Sequence, residues 1–142
     1  MRRLLFDSPV SLAGYAIATA IGAAWGTLWS TGRIVRRDGL IVFTGLPRWA
    51  YRRGGICVGA CYLTGGTVSP AVLRHEAVHK AQWRRYGLAF PLLNLLAGAE
   101  PTTNRFEIEA GLTDGGYLRR RPKSAGASTR SASTPDSSTS TS

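Results

Sequence analysis

The chain has 142 residues, and its 18 lysines and arginines against 8 aspartates and glutamates give a formal net charge of +10 at neutral pH. This length predicts one domain, and the positive excess predicts an anionic neighbour, either membrane lipid or nucleic acid. Because the sequence contains no Cys/His finger and no basic helix with base-reading side chains, we expect no specific nucleic-acid partner and favour a membrane.

The first predicted element is an uncharged apolar run over residues 10–30, about the length that spans the hydrocarbon core of a bilayer. Trp25 and Trp29 lie near its end, where interfacial anchors belong. A secretory signal peptide and a buried helix are the alternative interpretations. We favour a membrane-spanning or membrane-lying helix, and the slight excess of arginines after it predicts that the rest of the chain is cytoplasmic.

Short β-like segments follow. Residues 33–37 and 40–44, separated by Asp38 and Gly39, predict a hairpin with a two-residue turn. A basic aromatic loop then leads to a further predicted strand over residues 56–64. The pattern indicates a small antiparallel sheet ahead of the helical part of the chain.

Cys57 and Cys61 lie in the last predicted strand. Four residues along an extended chain span roughly 13 Å, which is too far for a disulfide. The favoured interpretation is two small buried apolar side chains, since an iron–sulfur cluster would need more thiolates than one chain offers.

A well-marked helix is predicted between Ser69 and Gly87. Ser69 is a favourable N-cap, Pro70 suits the first helical position, and Gly87 is a natural C-terminal stop. No helix breaker lies between them, so residues in the middle of this segment are held on a rigid element.

This predicted helix carries the motif H-E-x-x-H, and its His75 and His79 are the two histidines of the chain. Residues four apart share a helix face, so both imidazoles can reach one metal ion, while Glu76 lies about 100° further round the helix. That spacing is typical of a zinc site whose water is activated by a carboxylate. The alternative is a chance match in which the histidines are ordinary polar groups.

The remaining sequence divides into three segments. Residues 88–98 are apolar but too short to span a bilayer, so they predict a buried or membrane-dipping helix. Residues 104–113 predict another helix, and the basic, Ser/Thr-rich residues 119–142 predict a disordered tail. The predicted organisation is an apolar helix in 1–31, a metal-binding domain in 32–118 and this tail.

The third metal ligand must come from outside the H-E-x-x-H segment, because a catalytic zinc keeps three protein ligands and one open position. The helix over residues 104–113 offers Glu107 and Glu109. Here the chain resembles the gluzincin class of zinc peptidases, in which a glutamate on a later helix follows H-E-x-x-H. The segment R-F-E-I-E-A is similar to E-x-x-A-D of the membrane peptidases that process prenylated proteins, and this resemblance implies Glu107 as the ligand. A thermolysin-like register would choose Glu109.

The chain departs from that family pattern at one position. Gly111 stands where the family has an Asp that orients a ligand histidine, and Asp114 or Thr113 are the candidate substitutes. The resemblance covers roughly residues 54–114.

The predicted strands and helices indicate an α+β fold, with the small antiparallel sheet ahead of a helical core. The resemblance implies that this core is zincin-like, that the cofactor is Zn²⁺ and that the substrate is a peptide or protein. Glu76 would act as the general base in amide hydrolysis. The oxyanion needs a further donor, for which Tyr117 is our candidate; ordinary surface packing is the alternative for this residue. The strand after Gly54 and Gly55 is similar to the edge strand on which such peptidases lay an extended substrate.

Two other functions remain open from the sequence. A non-catalytic zinc-binding adaptor at a membrane would keep the metal ligands for stability. An iron–sulfur protein would use Cys57 and Cys61 instead.

Overall fold

The structure is a computed structural model that describes residues 7–66 and 68–119. It confirms the α+β class. The predicted disordered tail lies outside the described residues from position 120 onward, and the predicted division of the chain at residues 31 and 118 stays a prediction. The elements are α1 (Pro9–Trp29), β1 (Ile34–Arg37), β2 (Leu40–Phe43), β3 (Ile56–Val58), β4 (Cys61–Leu63), α2 (Pro70–Tyr86), α3 (Phe90–Leu96) and α4 (Arg105–Ala110), with 3-10 turns at Arg48–Ala50 and Gly87–Ala89.

The sheet has the strand order β1-β2-β4-β3. The predicted hairpin of β1 and β2 is confirmed, and Asp38 and Gly39 form its turn with φ values of 51° and 75°, as a type I′ turn requires. The expectation of a wholly antiparallel sheet was wrong, because β2 and β4 run parallel. The chain crosses from β2 through the Arg48–Ala50 turn and β3 before β4 returns beside β2 in the same direction.

The single strand predicted over residues 56–64 is a hairpin of β3 and β4. Gly59 lies in its turn with a φ of 61°, a backbone conformation that favours glycine. The turn packs against α1, where the Thr19 hydroxyl accepts a hydrogen bond from the Ala60 N–H at 3.0 Å. Cys57 and Cys61 therefore lie on neighbouring strands, and both are buried free thiols, as the sequence predicted.

Helix α1 packs onto the domain through its smallest residues. A Cβ on Gly14 would lie 2.7 Å from the Leu88 backbone nitrogen, and one on Gly22 would lie 2.9 Å from the Val58 carbonyl oxygen. The helix contacts α2, β4 and the Gly87–Ala89 turn. By length and composition it is able to cross a membrane. The buried positions of α1 recur every three or four residues and are Ser11, Gly14, Ala18, Gly22 and Gly26.

The predicted start and stop of the motif helix are confirmed. The Ser69 hydroxyl accepts a hydrogen bond from the Val72 N–H at 3.2 Å, Pro70 occupies the first turn, and Gly87 ends the helix with a φ of 55°. Helix α2 lays Leu73 and other apolar side chains into the main core beside the sheet.

The last two helices differ from their predicted forms. Over residues 88–98, only Phe90 of the large side chains is buried, and four leucines are exposed, so the alternative of a wholly buried helix was wrong. Phe90 packs edge-on against Trp83 and Phe106, which joins α3 to α2 and α4. Helix α4 starts at the Asn104 cap and ends at Ala110, because Gly111 adopts a φ of 96°.

Candidate metal centre

Three predicted ligands come together between α2 and α4. His75 Nε2 lies 3.1 Å from His79 Nε2, and the Glu107 carboxylate oxygen Oε2 lies 3.4 Å and 3.5 Å from these two nitrogens. Both histidines are buried and Glu107 is partly buried. The group is able to hold a metal ion.

The size of this triangle fits a small tetrahedral metal. Zinc binds nitrogen and oxygen ligands at 2.0–2.1 Å, so two ligand atoms of a regular tetrahedron lie about 3.3 Å apart. The three distances between His75, His79 and Glu107 range from 3.1 to 3.5 Å around that value. The spacing of the three atoms is therefore compatible with one metal ion of this size between them.

The tautomers of both histidines follow from their outer partners. His75 Nδ1 lies 3.1 Å from the Gly111 carbonyl oxygen, which can only accept, so this nitrogen carries the proton. His79 Nδ1 lies 2.8 Å from Gln82 Oε1. The Gln82 amide nitrogen donates to the Phe106 carbonyl at 3.0 Å and to Glu109 Oε2 at 2.9 Å, and this leaves only its oxygen to face His79. Both Nε2 lone pairs consequently point into the triangle.

Positive charge at the centre of this triangle, from a metal ion or from a proton on one histidine, would stabilise the arrangement. Two Nε2 lone pairs at 3.1 Å and an adjacent carboxylate oxygen repel one another unless positive charge lies between them. Glu107 Oε2 is also buried with no hydrogen-bond partner in the described part of the chain. A buried acceptor without a donor is costly, and metal coordination would satisfy it.

The pKa directions agree with a site that attracts positive charge. Burial alone would raise the pKa of Glu107, but its interactions with His75 and His79 outweigh burial and hold this pKa well below the ordinary value. Burial alone would lower the pKa of His79, but Glu107 and Glu76 outweigh it and raise this pKa. The carboxylate is ionised at neutral pH, as a metal ligand must be.

Two glutamates considered for the third ligand have different roles. Glu107 faces the histidines, whereas Glu109 accepts a hydrogen bond from Gln82. Glu109 thus fixes the amide that orients His79. Sequence reasoning missed Gln82, although its position three residues after His79 places it on the same helix face.

Gly111, the position at which the chain departs from the pattern of the peptidases it resembles, provides a hydrogen-bond acceptor for His75 through its backbone. The backbone carbonyl of Gly111 accepts a hydrogen bond from His75 Nδ1, so a peptide group contacts this nitrogen where the predicted resemblance suggested a side chain. The proposed substitutes are therefore not the partners of this nitrogen. Asp114 instead forms a two-point ion pair with Arg74 at 3.0 and 3.2 Å.

Glu76 lies beside the triangle in the same pocket. It is buried, and its Oε2 atom has no hydrogen-bond partner among residues 7–66 and 68–119. Burial raises the pKa of Glu76, and the neighbouring Glu107 raises it further, against the lowering effect of His79 and His75. A carboxylate with a raised pKa in a pocket is a stronger base than an exposed one.

Tyr117 also reaches this pocket. Its ring centroid lies 5.9 Å from that of His75, and the Arg53 guanidinium carbon lies 5.5 Å from the Tyr117 ring centroid. Burial and the charge of Glu107 raise the pKa of Tyr117 despite the opposing effect of Arg53, so the phenol stays protonated and can donate a hydrogen bond. Sequence reasoning did not single out Arg53.

The pocket around the site has a volume of about 590 Å³. One wall is β3, the last strand in the sheet order, whose outer edge has no partner strand among the described residues. Helix α3 and the segment after it also line the pocket, with the apolar side chains of Phe90, Pro91 and Leu95 and the polar side chains of Asn94 and Asn104. Arg52 and Arg53 add positive charge to the lining. A concave pocket of this volume is large enough to hold a ligand.

Comparison of the chain with protein-family models, with curated proteins and with solved structures found no match. The resemblance to gluzincins therefore stays a prediction that depends on the motif, and the interpretation of the site depends on its geometry.

Proposed function

We propose that this protein is a zinc-dependent metallopeptidase that hydrolyses amide bonds. The observation that carries the proposal is the triangle of His75, His79 and Glu107. The hydrogen bonds of the two Nδ1 atoms orient both Nε2 atoms towards the Glu107 carboxylate, so all three can coordinate one ion. Zinc in this position would act as a Lewis acid and lower the pKa of a coordinated water.

The other pocket residues supply the remaining functions of such a reaction. Glu76 accepts the proton of the attacking water and delivers it to the leaving nitrogen as the C–N bond breaks. Tyr117 donates a hydrogen bond to the carbonyl oxygen as negative charge develops on it. The open edge of β3 pairs with the extended backbone of the peptide or protein substrate.

The proposal includes membrane association with the site on the cytoplasmic side. Its support is the apolar composition of α1 and the net charge of +10, because the cytoplasmic leaflet is the anionic one.

The iron–sulfur alternative has no support from the cysteines. Burial raises the pKa of Cys61 to about 11 and raises that of Cys57 as well. Both thiols donate to backbone carbonyls, Cys61 to Thr19 and Cys57 to Gly59 and Glu76. Two thiols are also fewer than an iron–sulfur cluster needs from one chain.

The test is cleavage of unstructured peptides by the detergent-solubilised full chain, with and without a chelator. We expect the chelator to abolish cleavage and added zinc to restore it. Glu76→Gln should retain zinc and lose about 10²- to 10⁴-fold in rate, because it removes the general base. Cleavage that survives both the chelator and this substitution would contradict the proposal. Bound zinc without any hydrolysis would favour the non-catalytic adaptor.

A further inference from the structure

The polarity of α1 is reversed relative to a helix on the surface of a water-soluble protein. Its buried face consists of Ser11, glycines and Ala18, whereas its exposed face carries large apolar side chains. A soluble surface helix has its large apolar residues inside and its polar residues outside. No charged residue lies between Pro9 and Trp29. Six large side chains are 40–68% exposed: Val10, Leu12, Ile17, Ile21, Trp25 and Leu28.

A second apolar patch adjoins the N-terminal half of α1. The Gly87–Ala89 turn packs against Gly14, and Leu88 in this turn is exposed. Helix α3 follows directly and carries three more exposed leucines. The four leucines of this patch, Leu88, Leu92, Leu95 and Leu96, are 54–74% exposed. We call them, together with the exposed face of α1, the apolar surface.

The C-terminal end of α1 carries an aromatic cluster. The ring centroids of Trp25, Trp29 and Trp49 lie 4.7–6.0 Å apart, and Trp49 is 63% exposed. Trp25 Nε1 donates to the Ala50 carbonyl, which ties the cluster to the turn that carries Arg48. Indoles favour the depth of lipid headgroups, and arginines beside them favour anionic ones. The net charge of +10 is complementary to such a surface.

The packing of α1 decides how it can meet a bilayer. From Ser11 to Gly26 the helix is in contact with the domain, so a spanning orientation would carry the sheet into hydrocarbon. That sheet includes edge strand β1, whose Arg36 and Arg37 are exposed. An open sheet edge with charged side chains is not compatible with the lipid interior.

We propose that α1 lies in the plane of an anionic membrane surface, with the apolar surface inserted among the headgroups and upper acyl chains, and does not span the bilayer. The inference rests on the membrane association included in the proposed function, and it is independent of the metal chemistry. Insertion by such helices reaches about 5–10 Å.

The first measurement is the depth of three labels on α1. Val10→Cys, Ile17→Cys and Leu28→Cys each place a reactive thiol on the exposed face, whereas the natural Cys57 and Cys61 are buried. With the full chain on phosphatidylcholine/phosphatidylglycerol vesicles, lipid-borne quenchers should report the same shallow depth at all three positions. A deep label at position 17 between two shallow ones would overturn the in-plane orientation while leaving membrane association intact.

The second measurement is vesicle flotation of the wild type and matched variants. Ile17→Ser with Ile21→Ser should lower binding to the anionic vesicles at least about tenfold, because two inserted side chains are lost. Ile34→Ser and Ile108→Ser are the controls, since these residues are 51% and 50% exposed but belong to β1 and α4 and not to the apolar surface, and they should bind as the wild type does. Equal loss in the controls would overturn the proposal.

Three further outcomes separate the possible failures. If the protein binds pure phosphatidylcholine as strongly as the anionic mixture, the proposed preference for an anionic membrane surface is wrong. The wild type could instead float with neither vesicle and form a dimer that Ile17→Ser with Ile21→Ser dissociates. That result would overturn membrane binding and show that a second copy of the chain covers the apolar surface. Zinc content measured on the same samples tests the proposed function separately, because neither isoleucine contributes to the metal centre.

Discussion

At the scale of single residues, the direction of each histidine ring depends on the acceptor that its Nδ1 meets. His75 meets a backbone carbonyl and His79 meets the side chain of Gln82. Each acceptor holds the proton on Nδ1 and directs Nε2 towards Glu107. Such outer partners typically change metal affinity by about 10- to 100-fold, so we expect Gln82, which contacts His79 Nδ1, to act as a positioning residue for the candidate centre.

The two glutamates of α4 provide a matched test of the ligand set. Glu107→Gln should release the metal, since it replaces a charged ligand oxygen by a neutral amide. Glu109→Gln should keep it, because the new amide oxygen can still accept from Gln82 Nε2. The measurement is the zinc content of each purified variant by atomic spectroscopy, with His79→Ala as the metal-free reference. A Glu109→Gln protein without zinc beside a loaded Glu107→Gln protein would contradict this ligand assignment.

At the scale of elements, α1 shows why hydropathy describes a helix only in part. Its composition alone fits a membrane span, a signal peptide or a core helix equally. The distinguishing feature is the face on which the small residues lie, and the structure places Gly14, Gly22 and Gly26 against the domain. Glycines permit this close approach, so α1 is part of the packed core as well as an apolar surface.

Gly22→Ala should test the packing of α1. Helix propensity by itself favours alanine by about 1 kcal/mol. At this site the new Cβ would lie 2.9 Å from the Val58 carbonyl oxygen and 3.0 Å from Cys61 Cβ, so the strand or helix must shift. We expect a net destabilisation of about 1–3 kcal/mol, measured by denaturant unfolding. The exposed Ala20→Val is the control and should change stability by much less. A stabilised Gly22→Ala protein would mean that α1 does not pack here.

At the scale of the whole molecule, the metal centre joins segments that are distant in sequence. His75 and His79 come from α2 and Glu107 from α4, and the Gly111 carbonyl follows α4. The bound ion would cross-link the two helices and satisfy the unpartnered Glu107 oxygen. Metal binding would therefore stabilise the native fold, because the unfolded chain has no preformed site.

Removal of the metal should accordingly lower the melting temperature. A ligand at about 1,000 times its dissociation constant stabilises the native state by about 4 kcal/mol, which corresponds to a shift of many degrees for a domain of this size. Differential scanning calorimetry of the full chain with zinc and with a chelator measures the shift. His79→Ala should melt at the same temperature in both conditions, because it lacks a ligand. If the chelator leaves the melting temperature of the wild type unchanged, a bound metal does not stabilise the fold.

The sequence alone determined the local features of this protein. Ser69, Pro70 and Gly87 define the motif helix, and Asp38 and Gly39 define the first hairpin turn, because caps and turns depend on residues within a few positions of one another. The position of His75 and His79 on one helix face follows from helix periodicity in the same way. The α+β class and the buried cysteines are further features that local patterns predicted correctly.

Only the tertiary structure decided features that depend on distant parts of the chain. The parallel pairing of β2 with β4 and the break at Gly59 arise from packing against other elements, which propensity does not describe. The choice of Glu107 over Glu109 depends on how α4 is rotated against α2. The hydrogen bond between His75 Nδ1 and the Gly111 carbonyl involves a backbone group, and every residue has one, so no sequence pattern can indicate which carbonyl will face His75.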